Sequence, residues 1–242
     1  MRLAIIGYGK MGKEIEAVAL ERHHSIIARI DNEDDWRANQ EILATCDAAT
    51  EFTTPSVVKS NLYKCFEAGL PVVTGSTGWH KDLEEVTKKC LSHNAALFYA
   101  SNFSIGVNIF FEINRLLSSL MKNHPDYSAE ITEVHHLQKL DAPSGTAISL
   151  ANDLIAENPR YSDWKLGEAM KETDLVITSK REGSVPGTHI IQWNSGIDSI
   201  SISHEARSRR GFALGAVLAA EFLQGKTGIY GMADMLKLQT SR

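Results

Sequence analysis

Cysteine is scarce in this chain. Only Cys46, Cys65 and Cys90 occur, an odd number with no C-x-x-C pair. That excludes a disulfide framework and a cysteine-built metal knuckle, and no metal is expected. The three read as reduced, partly buried thiols of a cytoplasmic protein. Long apolar runs are missing as well: none approaches the roughly 20 residues that span a bilayer. The opening M-R-L-A-I-I-G reaches glycine too early for a secretory apolar segment. A strong charge of one sign is also absent. With 25 Lys+Arg against 30 Asp+Glu the net charge is -5, which gives no attraction to nucleic acid or an anionic membrane. No repeat or low-complexity tract appears. What remains is 242 residues, 43% hydrophobic and 23% charged, enough for one large or two modest globular domains.

The first hundred residues alternate between strand and helix signals. Leu3 to Ile6 is a short apolar run ending in G-Y-G-K-M-G, and E-I-E-A-V-A-L-E-R follows at helical spacing. S-I-I-A-R-I-D reads as a second strand ending at Asp31, and a polar loop is expected after it. Ala48 to Thr53 reads as a strand, S-V-V-K-S-N-L-Y-K-C-F-E-A-G as a helix stopped by glycine, and L-P-V-V-T-G-S-T-G as a strand and turn. A helix near Asp82 to His93 and the strand A-L-F-Y-A complete the series. Such alternation predicts a parallel sheet covered on both faces, of Rossmann type.

Beyond Phe103 the texture changes. Ile105 to Met121 reads as a long helix, A-E-I-T-E-V-H-H as a strand and Thr146 to Asn158 as a helix, with strands T-D-L-V-I-T-S and H-I-I-Q-W-N after them. S-I-S-I-S-H-E-A alternates strictly, so one of its faces is sheltered and the other available. This predicts a second α+β domain with an open mixed sheet. The tail G-F-A-L-G-A-V-L-A-A-E-F-L-Q-G is an amphipathic helix that ends by Gly225 and is expected to return to the first domain. The division is therefore residues 1–104 plus 212–242 as a dinucleotide-binding domain, and 105–211 as a substrate-binding and oligomerisation domain. R-S-R-R, Arg207 to Arg210, sits at the return crossing and reads as a hinge or a solvated face.

Gly7, Gly9 and Gly12 form a G-x-G-x-x-G between a strand and a helix, and Asp31 closes the next strand, 19 positions after Gly12. Gly7 permits a tight turn, Gly9 lets a pyrophosphate reach the backbone, and Gly12 lets the helix pack close to the sheet. Asp31 would accept hydrogen bonds from the adenine ribose. The bland alternative is a strand-turn-helix with no ligand. G-S-T-G and A-S-N-F fall at later strand ends, where either an ordinary loop or the nicotinamide end of a groove belongs.

The densest chemistry lies in E-V-H-H-L-Q-K-L-D-A-P-S-G-T-A, Glu133 to Ala147. His135 and His136 can share a site only where a strand ends, because neighbours on a strand face opposite ways. Ser144 is a plausible helix cap, leaving the N–H groups of Gly145 and Thr146 to hold a carboxylate. Imidazole and the ammonium of Lys139 offer proton donors. Each residue alone is more often a solvated or structural group; four such features in one turn favour chemistry. A hydrolase reading of Ser144 is weak, since no G-x-S-x-G elbow surrounds it.

These segments, with A-S-N-F-S-I-G-V-N and K-R-E-G-S-V-P-G-T-H, resemble the dihydrodipicolinate reductase family over essentially the whole chain. The resemblance implies that NADH or NADPH reduces 4-hydroxy-tetrahydrodipicolinate to tetrahydrodipicolinate, with loss of water, in lysine and diaminopimelate biosynthesis. It implies His135 as proton donor or acceptor, Lys139 as second proton donor, His136 as a substrate contact, and Gly145 and Thr146 as a carboxylate cradle. The cofactor contacts it implies are Gly7, Tyr8, Gly9, Lys10, Met11, Gly12, Asp31, Gly75, Ser76, Thr77, Ala100, Ser101, Asn102 and Phe103. It further implies a homotetramer built through the second domain. Two departures stand out. The glycine loop is one residue shorter than G-x-x-G-x-x-G, and Asn32 follows Asp31 where some members carry arginine. Lys10 or Lys13 is then the remaining charge for an NADP 2'-phosphate. Another Rossmann reductase of amino or imino acids, or a nicotinamide sensor without catalysis, is the alternative.

Overall fold

A computed structural model of the chain describes residues 1–208 and 210–238. Arg209, within R-S-R-R, and residues 239–242 of the expected dinucleotide-binding domain lie outside the described residues. Two compact units are present, Met1–Ile105 with Arg210–Arg242, and Gly106–Arg209. In chain order the first part runs β1 (Arg2–Ile6), α1 (Lys10–Glu21), β2 (Ser25–Ile30), α2 (Glu33–Leu43), β3 (Ala48–Glu51), α3 (Val58–Glu67), β4 (Val72–Thr74), α4 (Leu83–Ser92) and β5 (Ala96–Tyr99). Next come α5 (Ile105–Met121), β6 (Ser128–His135), α6 (Gly145–Glu157), β7 (Asp163–Leu166), β8 (Asp174–Arg181), β9 (Gly187–Asn194) and β10 (Ser199–Ala206). The chain then returns through α7 (Arg210–Phe222), β11 (Gly228–Tyr230) and α8 (Met232–Leu236).

In the first unit six strands pair in parallel in the order β11-β5-β4-β3-β1-β2. The continuous apolar run of β1 splits by the two-residue period of a strand. Ala4 and Ile6 pack with Trp36, Leu62 and Phe66 of α2 and α3. Leu3 and Ile5 pack with Ile15 of α1 and Ala216 and Val217 of α7. Because β2 lies on one side of β1 and β3 on the other, the strand order reverses there, and a crevice opens beyond the carboxyl ends of β1 and β3.

The expected polar loop after Asp31 is instead the helix α2. Asn32 caps it, its side chain accepting from the Asp35 N–H at 2.9 Å, and Glu33, Asp34 and Asp35 fill the first turn, where acids suit the helix dipole. Only Trp36 and Leu43 are buried along it, too sparse an apolar stripe to stand out as a period.

The second unit holds one mixed sheet in the order β10-β9-β6-β8-β7. β6 runs parallel to β8 and antiparallel to β9. Ile131, Ile177 and Ile191 share one rung, and they pack with Phe110 of α5 and Leu150 and Leu154 of α6. The opposite face carries Thr132, Val134, Thr178, Ile190 and Gln192, all half-buried. Two residues along the covered face, the apolar rung gives way to a polar one: Ser179, Glu133 and His189.

Candidate active site

The crevice of the first unit is built by glycine. Gly7 has φ +90°, and a Cβ there would stand 2.2 Å from the Phe52 carbonyl oxygen. A Cβ on Gly12 would stand 2.3 Å from the Gly7 carbonyl oxygen, so α1 could not approach the turn. Gly9 caps α1 with no side chain and has nothing within 4 Å of its missing Cβ. The first N–H groups of α1 are thus left to an external anion, with the positive end of the helix dipole behind them. A groove of about 490 Å³ opens here, lined by Gly7, Gly9, Asp31, Asn32, Thr53 and Thr54 among others. An uncapped helix start, an open glycine and a carboxylate at the tip of β2 fit a dinucleotide.

The other expected contacts fall around this groove rather than in its lining. Tyr8 gives its N–H to Asp31 Oδ1 at 2.6 Å and its hydroxyl to Glu16 Oε2 at 2.5 Å, with Arg29 5.5 Å from the ring centroid. Lys10 and Met11 lie in the first turn of α1, and Met11 packs on the core. A Cβ on Gly75 would meet the Phe52 ring at 2.1 Å, and Ser76 Oγ accepts from the Thr53 N–H at 2.8 Å, so G-S-T-G is clamped to E-F-T-T. Thr77 and Ser101 are exposed. The Ala100 N–H reaches the Thr74 carbonyl at 3.3 Å, and Asn102 Oδ1 accepts from the Ser104 N–H at 2.9 Å. Phe103 is buried against Phe52 and Phe98, and its carbonyl oxygen lies against Gly215, where a Cβ would stand 1.8 Å away. Thr53 and Thr54 were missed from sequence. They line the groove because β3 is the neighbour of β1, and strand order is not written locally.

In the second unit β6 ends at His135, and His136 begins the turn, its carbonyl accepting from the Lys139 N–H at 3.1 Å. Lys139 Nζ holds both Asp141 oxygens, at 2.7 and 2.8 Å. The turn is pinned by Arg181, which donates to the Asp141 carbonyl at 2.6 Å. Ser144 caps α6, its Oγ accepting from the Ala147 N–H at 3.2 Å. The N–H groups of Gly145 and Thr146, at the first turn of the helix, have no intrahelical acceptor. Gly145 is exposed with nothing within 4 Å of its missing Cβ, and Thr146 is half-buried.

Beneath this turn lies Glu133, fully buried. Its oxygens accept from the Ser144 N–H at 3.1 Å and from Ser179 Oγ at 2.7 Å, with Arg181 Nη2 at 3.3 Å. His135 Nδ1 is 3.3 Å from Glu133 Oε2. That is ion-pair distance, off the axis of a hydrogen bond, and this nitrogen has no other partner. His189 shares a hydrogen bond with Ser144 Oγ at 3.1 Å and sets its ring edge-on to His135, centroids 5.2 Å apart. Burial works to raise the Glu133 carboxyl, but hydrogen bonds from Ser144 and Ser179 and the neighbouring His135 together hold it below the ordinary carboxylate range. Burial lowers His135; Glu133 works against this, while Lys139 and Arg181 add to it. Glu133, His135 and His189 have the composition of a metal-binding set. The carboxylate, however, already serves an amide, a hydroxyl and a guanidinium. Glu133, Arg181 and His189 were all passed over in the sequence, although E-V-H-H and K-R-E-G-S-V-P-G-T-H contain them. The missing signal was register.

Dinucleotide geometry on one unit and acid–base geometry on the other is the division of labour of two-domain nicotinamide oxidoreductases. Residues 1–103 match the family model "Dihydrodipicolinate reductase, N-terminus" and residues 106–236 its C-terminus counterpart. The chain belongs to the dihydrodipicolinate reductase family. It is 46% identical over 98% of its length, and 98% of the relative's, to a 4-hydroxy-tetrahydrodipicolinate reductase of Christiangramia forsetii. A protein of the same description from Clostridium tetani is 34% identical, over 98% of this chain and 97% of that one. In fold it is similar to a dipicolinate-bound dihydrodipicolinate reductase from Paenisporosarcina sp. TG-14, with TM-score 0.80 and 22% identity over 97% of this chain and 98% of that one.

Two expectations follow from these charges. A 2'-phosphate at the tip of β2 would meet Asp31 and the acidic first turn of α2, while Lys64 is already bonded to Glu33 at 2.6 Å and Lys13 lies over the Tyr8 ring. NADH should therefore give a kcat/KM at least equal to that of NADPH, and Asp31→Asn should move the ratio toward NADPH by about tenfold, or about 1.4 kcal/mol. A tenfold NADPH preference in the unaltered protein would refute this.

The second concerns His189, which burial and then His135 push down to about 4 from 6.5. A depressed imidazole binds its proton more readily in the unfolded chain. Its contribution to stability is complete above about 6.5 and is lost as the pH falls toward about 4, on the order of 3 kcal/mol in full. Thermal denaturation should show Tm dropping across this window, less steeply in His189→Gln; equal slopes would contradict it.

Proposed function

We infer that this protein reduces 4-hydroxy-tetrahydrodipicolinate to tetrahydrodipicolinate, with loss of water, using NADH or NADPH, in lysine and diaminopimelate biosynthesis. The observation that carries this is the grouping of His135, Lys139 and the first N–H groups of α6 around one turn, in a chain that also has a dinucleotide groove. Residues 1–104 and 212–242 are read as the cofactor domain, and 105–211 as the domain for substrate and assembly. Gly7 to Gly12 and the start of α1 would hold the pyrophosphate, and Asp31 the adenine ribose. A bound reduced nicotinamide supplies the hydride.

The chain's own groups do the rest. One substrate carboxylate takes the Gly145 and Thr146 N–H groups at the positive end of α6. Lys139 exchanges Asp141 for a substrate carboxylate, an equivalent charge-assisted bond, and His136 closes the contact. His135 delivers the proton that reduction requires, with Lys139 as the second acid. Fixing the dicarboxylate at two points orients the acceptor carbon and removes much of the entropy cost of the encounter.

The test is a coupled assay in which the unstable substrate is made enzymatically and nicotinamide absorbance is followed. Lys139→Ala should raise KM and lower kcat, and Lys139→Met should do the same while keeping the stem. His135→Ala should mainly lower kcat, by roughly 10²–10⁴-fold. Neither should weaken NADH binding. Near-full turnover in both would reduce the turn to an anion clamp, and inactivity of the unaltered protein on this dicarboxylate would point to another imino acid.

We also propose a cytoplasmic homotetramer with neither nucleic acid nor membrane as partner. No described helix is long and apolar enough to cross a membrane. Support for assembly comes from the uncovered face of the mixed sheet and from Ile109, Ile113, Leu116 and Leu120, a stripe along α5 that stays 42 to 61% exposed. Sedimentation should give four chains per particle; a monomer at micromolar concentration would exclude it.

A further inference from the structure

The polar rung beneath the turn has no role in the chemistry described so far. On the covered face of the sheet, the preceding rung is Ile131, Ile177 and Ile191, and another three apolar side chains would fill the next one. Instead Glu133 lies there with no exposed surface, between Ser179 and His189. A buried carboxylate is costly unless every lone pair is used, and replacing such a group by apolar residues is often neutral or better for stability. Stability is therefore a poor account of its presence.

Its contacts point to another. Through both oxygens it holds the Ser144 N–H at 3.1 Å, and so the start of α6. Through Oε2 it faces His135 Nδ1 at 3.3 Å, a nitrogen with no other partner. The far edge of the same ring is kept clear by glycine: a Cβ on Gly187 would stand 3.0 Å from His135 Nε2. The charged and titratable groups facing His135 are Glu133 from β6, Lys139 and Asp141 from the turn, Arg181 from β8 and His189 from β9. Lys139 and Arg181 oppose its protonation, and Asp141 is exposed and already paired with Lys139. Glu133 is the buried anion in that set.

We propose that Glu133 is a positioning residue, whose negative charge 3.3 Å from His135 Nδ1 favours the proton on that nitrogen and keeps Nε2 as the edge that exchanges a proton with substrate. The same carboxylate ties that imidazole to the start of α6. The role of Glu133 rests on the reading of His135 as the acid; the orientation of the proton does not.

Two measurements on the full-length protein test it. In the unaltered chain, ¹⁵N shifts of neutral His135 should report the Nδ1–H tautomer. The Nε2–H tautomer would overturn the proposal whether or not any variant folds. In Glu133→Gln the His135 titration should move down by about one pH unit or more, because an opposing anion is lost. An acid works only while protonated, so turnover is full below its pKa. The alkaline limb of the kcat profile should therefore move down by the same amount, with kcat lowered roughly 10- to 100-fold at neutral pH. Glu133→Asp keeps the charge and should restore most of the limb, and NADH affinity should be unchanged in both. An unmoved titration and limb in folded Glu133→Gln, alongside a large kcat loss in His135→Ala, would sink the positioning role alone. Full turnover in His135→Ala would sink the acid assignment instead, leaving the tautomer to be judged by its ¹⁵N shifts.

Discussion

The second unit is organised by the placement of one negative charge where water cannot reach it. Glu133 has no exposed surface, so its charge has to be met by groups fixed in the fold: the Ser144 amide, the Ser179 hydroxyl and the Arg181 guanidinium. These come from two elements that are far apart in the sequence. The amide begins α6, the hydroxyl and guanidinium lie on β8, and Arg181 in turn donates to the Asp141 carbonyl in the turn that carries Lys139. Satisfying one carboxylate therefore sets the helix start, the strand register and the turn that carries Lys139 together. A partly satisfied buried network is worse than an apolar one, which makes the arrangement all-or-none.

Much of this protein was legible in its sequence, and the boundary of legibility is physical. Gly7, Gly9 and Gly12 are readable because a turn, an open backbone and a close approach are local demands that only glycine meets. The parallel first sheet and the mixed second one follow from the spacing of apolar residues. The helix α2 was not readable, because Trp36 and Leu43 alone bury it and its remaining surface is polar. The sixth strand, β11, is three residues long and gains its identity only by pairing with β5.

The site divides in the same way. His135, Lys139, Gly145 and Thr146 stand in one contiguous stretch, so their grouping is a matter of counting. Ser179, Arg181 and His189 come from 46 to 56 residues beyond Glu133 and meet it only when β8 and β9 pair on either side of β6. Nothing in the local pattern fixes that register. Thr53 and Thr54 illustrate the same limit in the first unit, where a change in strand order turns an ordinary loop into groove lining.

Both units present a helix start with free amides, to different degrees. At α1 the cap is Gly9, which has no side chain, so the whole helix start faces outward. That suits a pyrophosphate, which is large, doubly charged and able to take several amides at once. At α6 the cap is Ser144, whose oxygen consumes the Ala147 N–H and leaves the two amides before it. Two N–H groups are the number that the two oxygens of a single carboxylate can use. The difference between a glycine and a serine at one cap position thus sets how many amides each helix start leaves without an acceptor, and the buried Glu133 holds the Ser144 cap in place.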